Sequence, residues 1–324
     1  MERFLVTGSA GCLGAWAVHE LVREGTEVVT FDISDTPHRL RLLLDEDELR
    51  SVRFCLGDIR DTESVDQVVR ENRITHIVHL AALQVPFCAA DPVNGSRVNV
   101  TGTLNILEAK RRSNGQVRGI TYASSIGVFG PAEMYENGMV NDHSPAAPAT
   151  LYGAYKQANE WTARIYAADW EMGSVGLRPS VIYGLGRDQG LTSAATNAML
   201  SAAAGASGHI THGGTVTYQH GQDIARIFIA AARLEARQAL VHNIGGPVAH
   251  ISEVASAIDT AGGGGIETTY EDVPFPLPSS IDGSDLERII DIPHRPLEEG
   301  IAGTVEDFRR LLAAGLVTAP ASTG

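Results

Sequence analysis

The stretch Phe4-Leu5-Val6-Thr7-Gly8-Ser9-Ala10-Gly11-Cys12-Leu13-Gly14 passes from an apolar strand-like run, through three glycines, into a helix-like segment. Residues 12–24 place Leu13, Ala17, Leu21 and Val22 on one helical face. Between the two lies a Gly8-x-x-Gly11-x-x-Gly14 spacing. Bare glycines admit a pyrophosphate close to the backbone, and the N–H groups and dipole of a helix start favour anionic charge. Glycine turns between strand and helix are common, so the surrounding sequence has to decide what this one does.

Outward from that turn the chain keeps alternating. Glu27–Phe31 reads as a second strand, and Val52–Leu56, His76–Leu80, Val117–Tyr122 and Ser174–Leu177 continue the series. Helical stretches near 36–49, 61–72, 92–112 and 152–172 separate them, the third opened by Asp91 as N-cap and Pro92 at the first helical position. Nearly continuous apolar strands alternating with helices predict an α/β fold, a doubly wound parallel sheet of Rossmann type. Beyond about residue 180 the rhythm loosens, with helices expected at 191–205, 222–235, 251–261 and 297–313. The last carries Leu297, Ile301, Val305, Phe308 and Leu312 at helical spacing. The expected organisation is a dinucleotide-binding domain over 1–178 and a smaller C-terminal substrate-binding lobe over 179–316, some of whose segments return to the sheet. A mobile tail is expected over 317–324.

Composition narrows the partners. The 324 residues are 44% hydrophobic and carry a net charge of −14, which disfavours a nucleic-acid or anionic-membrane surface built from clustered Lys and Arg. Cys12, Cys55 and Cys88 are widely spaced and show no metal-ligand spacing with histidine, so reduced thiols and no metal are expected. No apolar leader precedes the first strand and no membrane-length apolar window occurs, which points to a cytoplasmic protein without a membrane partner. The glycines show no tandem period.

Asp32 ends the second strand, where its carboxylate can accept hydrogen bonds from both adenosine ribose hydroxyls. The same charge repels a 2′-phosphate, favouring NAD over NADP. Asp58 and Ile59, after the third strand, are placed to flank adenine. Tyr152 and Lys156 stand four apart at the start of a helix, on one face. A free phenol is a poor base near neutrality, and a neighbouring ammonium favours its phenolate. Tyr155 has the wrong spacing for this partnership. Ser125 follows the strand ending at Tyr122-Ala123, at the carboxyl edge of the sheet, where its hydroxyl can orient a substrate alcohol.

TGSAGCLG at 7–14, the strand-end Asp32, GDIRD at 57–61, HLAA at 79–82, VNVTGTLN at 98–105, SSIGVFG at 124–130 and YGAYK at 152–156 resemble the extended short-chain dehydrogenase/reductase family, also called the NAD-dependent epimerase/dehydratase family. The resemblance covers essentially the whole chain, including RIIDIPHRPLEEGIAGTVEDFRR at 288–310. It implies Tyr152 as general acid/base, Lys156 as its electrostatic partner and Ser125 as the substrate-orienting hydroxyl. It implies a cofactor site of Gly8, Gly11, Cys12 (through its N–H), Leu13, Gly14 and Asp32, with Asp58, Ile59, Leu80, Ala81, Ala82 and Asn99 around adenine and ribose. Tyr152 and Lys156 would also face the nicotinamide end. A homodimer through the helices at 92–112 and 152–172 is a further family expectation.

Three departures bear on the reaction. Ile126-Gly127 stand where 4,6-dehydratases of the family carry Asp-Glu, which argues against dehydration. Arg178-Pro179-Ser180-Val181 lacks the asparagine that follows this arginine in sugar-nucleotide epimerases. Val216 aligns where relatives hold the nucleotide diphosphate with an arginine. Arg187, in GLGRDQG, is placed to meet an anionic substrate, and Gln84 lies near the nicotinamide side by resemblance. His212 and His220 read as structural. The expected function is NAD-dependent oxidation of a secondary alcohol on a small sugar-like substrate: a sugar, sugar acid or related polyol. An epimerase that retains the ketone is the alternative. A dinucleotide-binding regulator without catalysis is the reading from another class, and intact Ser125, Tyr152 and Lys156 speak against it.

Overall fold

A computed structural model describes residues 1–293 and 295–319. Strands β1 (Arg3–Thr7), β2 (Glu27–Asp32), β3 (Arg53–Leu56), β4 (His76–His79) and β5 (Gly119–Ala123) are joined by Ser174–Arg178 and Ala239–Asn243 in one seven-stranded sheet. Its order is Ala239–Asn243, Ser174–Arg178, β5, β4, β1, β2, β3, with every pairing parallel. The order reverses between β1 and β4, the place where sheets of this kind open a crevice at their carboxyl ends.

Side-chain alternation explains the two cores. Along β1, Phe4 and Val6 face a large cluster that includes Trp16, Leu21, Val175 and Phe228, while Leu5 faces Val29, Ile77, Ile106 and Ile120 on the other side. Edge strand β3 departs from the expectation of buried strands: Phe54 and Leu56 are exposed at the rim of the sheet, where a strand has a neighbour on one side alone. A second sheet pairs Val181–Tyr183 with Thr215–His220 in parallel and Val248–His250 antiparallel to the latter. Small two-stranded pairings, Met139–Val140 with Ser280–Ile281 and His209–Ile210 with Thr269–Tyr270, tie the C-terminal segments down.

Several expected helices form with bounds shifted by a few residues, Thr62–Glu71, Leu151–Trp170, Ala194–Ala203, Gly221–Arg233 and Ile251–Gly262, and Leu297–Ala313 forms with the bounds expected. In the last, Leu311 rather than Leu312 completes the buried stripe. The helix expected at 36–49 does not form. A short turn at Leu40–Leu42 and a helix at Glu46–Ser51 replace it, because Asp45 and Glu48 make a capping box that starts a new helix. The stretch 92–112 is interrupted by a π-helical turn at Arg97–Thr101, and a short helix at Val85–Ala90 precedes it without a signal in the sequence pattern. Asp91 caps as expected, accepting from the Asn94 N–H. In the expected tail, Val317 still packs on the core, and 320–324 lie outside the described residues. Among the described residues no helix is long and apolar enough to cross a membrane.

Candidate active site

Helix α1 (Cys12–Arg23) starts directly from the glycine turn, and its glycines do different jobs. Gly8 has φ +69°, and a Cβ there would sit 2.6 Å from the Ala81 nitrogen, so only glycine lets β1 leave this close to residues 80–82. A Cβ on Gly14 would lie 2.1 Å from the Gly8 carbonyl oxygen, so its absence seats α1 on the turn. No side chain caps α1, leaving its first N–H groups without intrahelical partners, and Gly8, Gly11, Cys12, Leu13 and Gly14 line a cleft there. Asp32 accepts from the Ala10 N–H at 2.9 Å and from the Ser34 N–H at 3.1 Å, which holds its carboxylate beside the turn. A bare concave turn with a carboxylate at the next strand end fits a dinucleotide pyrophosphate and ribose. The Cys12 thiol points away to the Leu185 carbonyl, and burial pushes it up to about 11 against the pull of Arg187 and Arg39. It is a poor nucleophile.

Of the remaining cofactor candidates, Leu80 and Ala82 line the same cleft, as does the substrate candidate Gln84, and Asp32, Asp58, Ile59, Ala81 and Asn99 lie outside its lining. Asp58 is engaged by Arg60, whose hydrogen bonds hold its carboxyl below the usual range. Ile59 is buried in the core below β1, against Gly102. Asn99 spends its amide on residue 83: its oxygen accepts from the Leu83 N–H at 2.7 Å and its nitrogen donates to the Leu83 carbonyl at 2.9 Å. It shapes the 80–84 loop from behind, out of the π-helical turn.

The catalytic candidates meet across two elements. Thr150 caps the Leu151–Trp170 helix through the Gly153 N–H, setting Tyr152 and Lys156 on its first turns. Opposite stands the turn Ile126–Val128, with Ser125 at its head accepting from the Gly127 N–H at 3.0 Å. A Cβ on Gly153 would be 2.0 Å from the Gly127 carbonyl oxygen, so this glycine sets how closely helix and turn approach. Across that approach Tyr152 and Ser125 face the same small space: a Cβ on Gly127 would lie 3.3 Å from Ser125 Oγ and 3.7 Å from the Tyr152 ring. Burial raises the phenol above its ordinary value, while Ser125 and the positive Arg187 pull it back.

Two cations stand near the phenol. The Lys156 ammonium donates to the Ala123 carbonyl at 2.7 Å and lies over the Tyr152 ring, 5.5 Å from its centre, and the charge of Arg187 also acts on Tyr152. Burial lowers Lys156 to about 8. Tyr155 packs at the side, donating to the Pro92 carbonyl.

Two buried networks brace this centre, and nothing in local sequence announced them. Ser124 donates to Glu160, which forms a two-point ion pair with Arg178, both side chains being almost wholly buried. Separately, His79 bridges Thr7 and Thr103, and Asn159, on the helix face of Lys156 one turn on, donates to Thr103. Burial holds His79 at about 3, so it is neutral around physiological pH. The only signals were buried-type polar residues on apolar strands and on the catalytic helix.

At the substrate end, Arg187, Leu191, Thr192, Phe275, Pro276 and Leu277 complete the cleft. Arg187 donates to Thr192 at 2.7 Å, and Asp188 is taken by Arg39. His220 caps the Gly221–Arg233 helix, and His212 stacks on Phe275 with a ring-centre distance of 4.5 Å.

The model of the NAD dependent epimerase/dehydratase family matches residues 4–245, most of the chain. The chain belongs to that family. Family members similar to it include the UDP-glucose 4-epimerase of Azospirillum brasilense, 27% identical over 99% of this chain and 96% of that protein. The UDP-glucose 4-epimerase of Lactobacillus helveticus is 32% identical over 49% of this chain and 45% of its own length. Two further curated relatives are matched over only 28% and 39% of their lengths, so the chain spans less than half of several proteins it resembles. Among solved structures, the UDP-glucose 4-epimerase of Thermus thermophilus in complex with NAD superposes with a TM-score of 0.80 at 27% identity, over 95% of this chain and 99% of that one.

Proposed function

We propose that this epimerase/dehydratase-family chain is an NAD-dependent oxidoreductase that oxidises a secondary alcohol of a sugar, sugar acid or related polyol. The observation carrying the proposal is the convergence of Ser125, Tyr152 and Lys156 in the cleft that the glycine turn opens. Gly8, Gly11, Cys12, Leu13, Gly14 and Asp32 would hold NAD, which when bound supplies the hydride acceptor. Ser125 would orient the substrate hydroxyl and donate to its oxygen as a carbonyl forms. Tyr152, as phenolate, would take the hydroxyl proton, and Arg187 would favour that ionisation. Lys156, anchored to Ala123, would donate toward the nicotinamide ribose from a fixed position.

Dehydration is disfavoured, because no Asp or Glu is among the described residues lining the cleft and residue 127 is glycine. Val216, aligned with the nucleotide-gripping arginine of relatives, is sealed in the core at 2% exposure. That favours release of a small ketone. The second reading, an epimerase that keeps the ketone and returns hydride to its other face, is favoured by the likeness to the Azospirillum and Thermus 4-epimerases.

One experiment separates them: purified protein with NAD and a panel of sugars, sugar acids, polyols and nucleotide sugars, with Tyr152→Phe as control. Net reduced nicotinamide that needs Tyr152 supports the dehydrogenase. A new stereoisomer with retained NAD supports the epimerase. Cofactor affinity without either refutes the enzymatic reading.

A further inference from the structure

We infer that the substrate carries a carboxylate, held by Arg187 and the Thr192 hydroxyl while its own hydroxyl meets Ser125 and Tyr152. The inference rests on the oxidoreductase reading above and names the substrate class for the same cleft.

Arg187 lines the same cleft as the glycine turn, Cys12 and Tyr152, and its charge acts on both of those side chains. One arm donates to Thr192, but its Nε is buried with no acceptor. A buried donor left unmade costs stability unless a ligand supplies the missing partner. The carboxylate next to it in the chain, Asp188, is paired with Arg39, which also donates to the Ala10 carbonyl at 2.7 Å. Arg187 is left as a fork-shaped cation lining the cleft.

Gly190 makes the second half of the site. Its φ is +92°, and a Cβ there would lie 1.9 Å from Gln84 Oε1 and 3.3 Å from an Arg187 terminal nitrogen. A side chain at residue 190 would therefore drive the Gln84 amide away from the guanidinium. With glycine there, the Gln84 amide oxygen and the guanidinium keep the same corner of the cleft, and the guanidinium supplies the N–H donors that suit a planar carboxylate.

Charge count sets the size of the anion. The lining holds no Asp or Glu among the described residues, and its other cation, Lys156, is already bound to Ala123. One guanidinium with no carboxylate partner among the described residues matches one carboxylate. A nucleoside diphosphate would bring more charge to the same single cation, against an apolar wall of Phe275, Pro276 and Leu277. The cofactor pyrophosphate is also an anion within reach of this region, so the test must separate it from a substrate carboxylate.

Turnover is compared for matched pairs, D-gluconate against sorbitol and D-glucuronate against D-glucose, with UDP-glucose and UDP-glucuronate alongside. Binding of each acid to the enzyme–NADH complex is read by nicotinamide fluorescence. The acid of a pair is expected to be preferred, and Arg187→Gln is expected to cut that preference about 100-fold, with Thr192→Val giving a smaller loss. NAD affinity measured without substrate is expected to stay within about 3-fold in both variants, since the energy at stake sits on the carboxylate. Three results overturn the inference: preference for the neutral partner or a nucleotide sugar, an Arg187→Gln defect confined to NAD binding, or no saturable acid effect on either readout. Tyr152-dependent turnover of a neutral sugar would sink the inference and leave the oxidoreductase reading standing. NAD binding with no turnover of any kind would sink that reading instead.

Discussion

Alanine at residue 153 is expected to destabilise the protein, although glycine-to-alanine in a helix ordinarily stabilises it. By propensity alone the substitution gains up to about 1 kcal/mol. The new Cβ would stand 2.0 Å from the Gly127 carbonyl oxygen, with the Pro148 side chain at 3.0 Å, so neither the helix start nor the turn can stay in place. Restoring an ordinary contact takes about 1 Å of movement, and forced repacking of this kind costs about 1–3 kcal/mol. Against the full propensity gain, the net loss is up to about 2 kcal/mol, or a melting temperature lower by up to about 3 °C for a chain of this length. That movement separates Tyr152 from Ser125, and a misplacement of about 1 Å at a reacting centre costs on the order of 100-fold in turnover. The control is Gly303→Ala, in the interior of the Leu297–Ala313 helix, where an added Cβ meets nothing within 4 Å. There the same substitution is expected to stabilise by up to about 1 kcal/mol. Thermal unfolding of both variants, with Tyr152-dependent turnover as the second readout, checks the pair. If Gly153→Ala melts at or above the parent, as Gly303→Ala should, the close approach of helix and turn is wrong.

Three further outcomes follow from the buried charges. Burial holds Lys156 at about 8 against an ordinary 10.5, so below pH 8 the folded protein carries a desolvation cost on the order of 3 kcal/mol. Lys156→Met should therefore stabilise the cofactor-free protein at pH 7 by about 1–2 kcal/mol, after the lost hydrogen bond to Ala123 is counted, while abolishing turnover. The unfolded chain binds the extra proton between pH 8 and 10.5, so this gain over the parent should shrink across that window in denaturant titrations. Burial pushes Glu20 up, but hydrogen bonds from His19, Arg226 and Gln222 outweigh it and set the carboxyl at about 2. With its folded value depressed from 4.5, its contribution is full above pH 4.5 and lost as pH falls through 2, so Glu20→Gln should cost about 1–2 kcal/mol at pH 7, discounted for the half-exposed Arg226, and nothing near pH 2. Glu160→Gln strands the buried Arg178 and should cost about 3 kcal/mol or more in equilibrium unfolding. Since Ser124 also leans on Glu160, next to Ser125, the same variant should lower kcat more than it changes KM.

Local order in the chain was enough to announce the Rossmann half. Strand and helix periods repeat within short windows, and the glycine turn with Asp32 and the Tyr152–Lys156 spacing are contiguous or nearly so, which is why they were legible. The misreadings share a cause. At 36–49, capping by Asp45 and the capture of Arg39 by Asp188, 149 positions away, override the helical pattern. At 97–101, one widened turn carries Asn99 to the back of the 80–84 loop, a displacement no periodicity reports.

What the sequence by itself determined is the set of parts: a glycine turn for an anion, a strand-end carboxylate, a serine, a tyrosine and a lysine in a workable order. The tertiary structure decided their partners. It tied Lys156 to the Ala123 carbonyl while keeping it over the Tyr152 ring, brought the charge of Arg187 to bear on Tyr152 as well, and paired Asp188 with Arg39. The physical reason is that the strength of a charge or hydrogen bond depends on distance and burial between residues far apart in the chain, and those are properties of the packed fold alone.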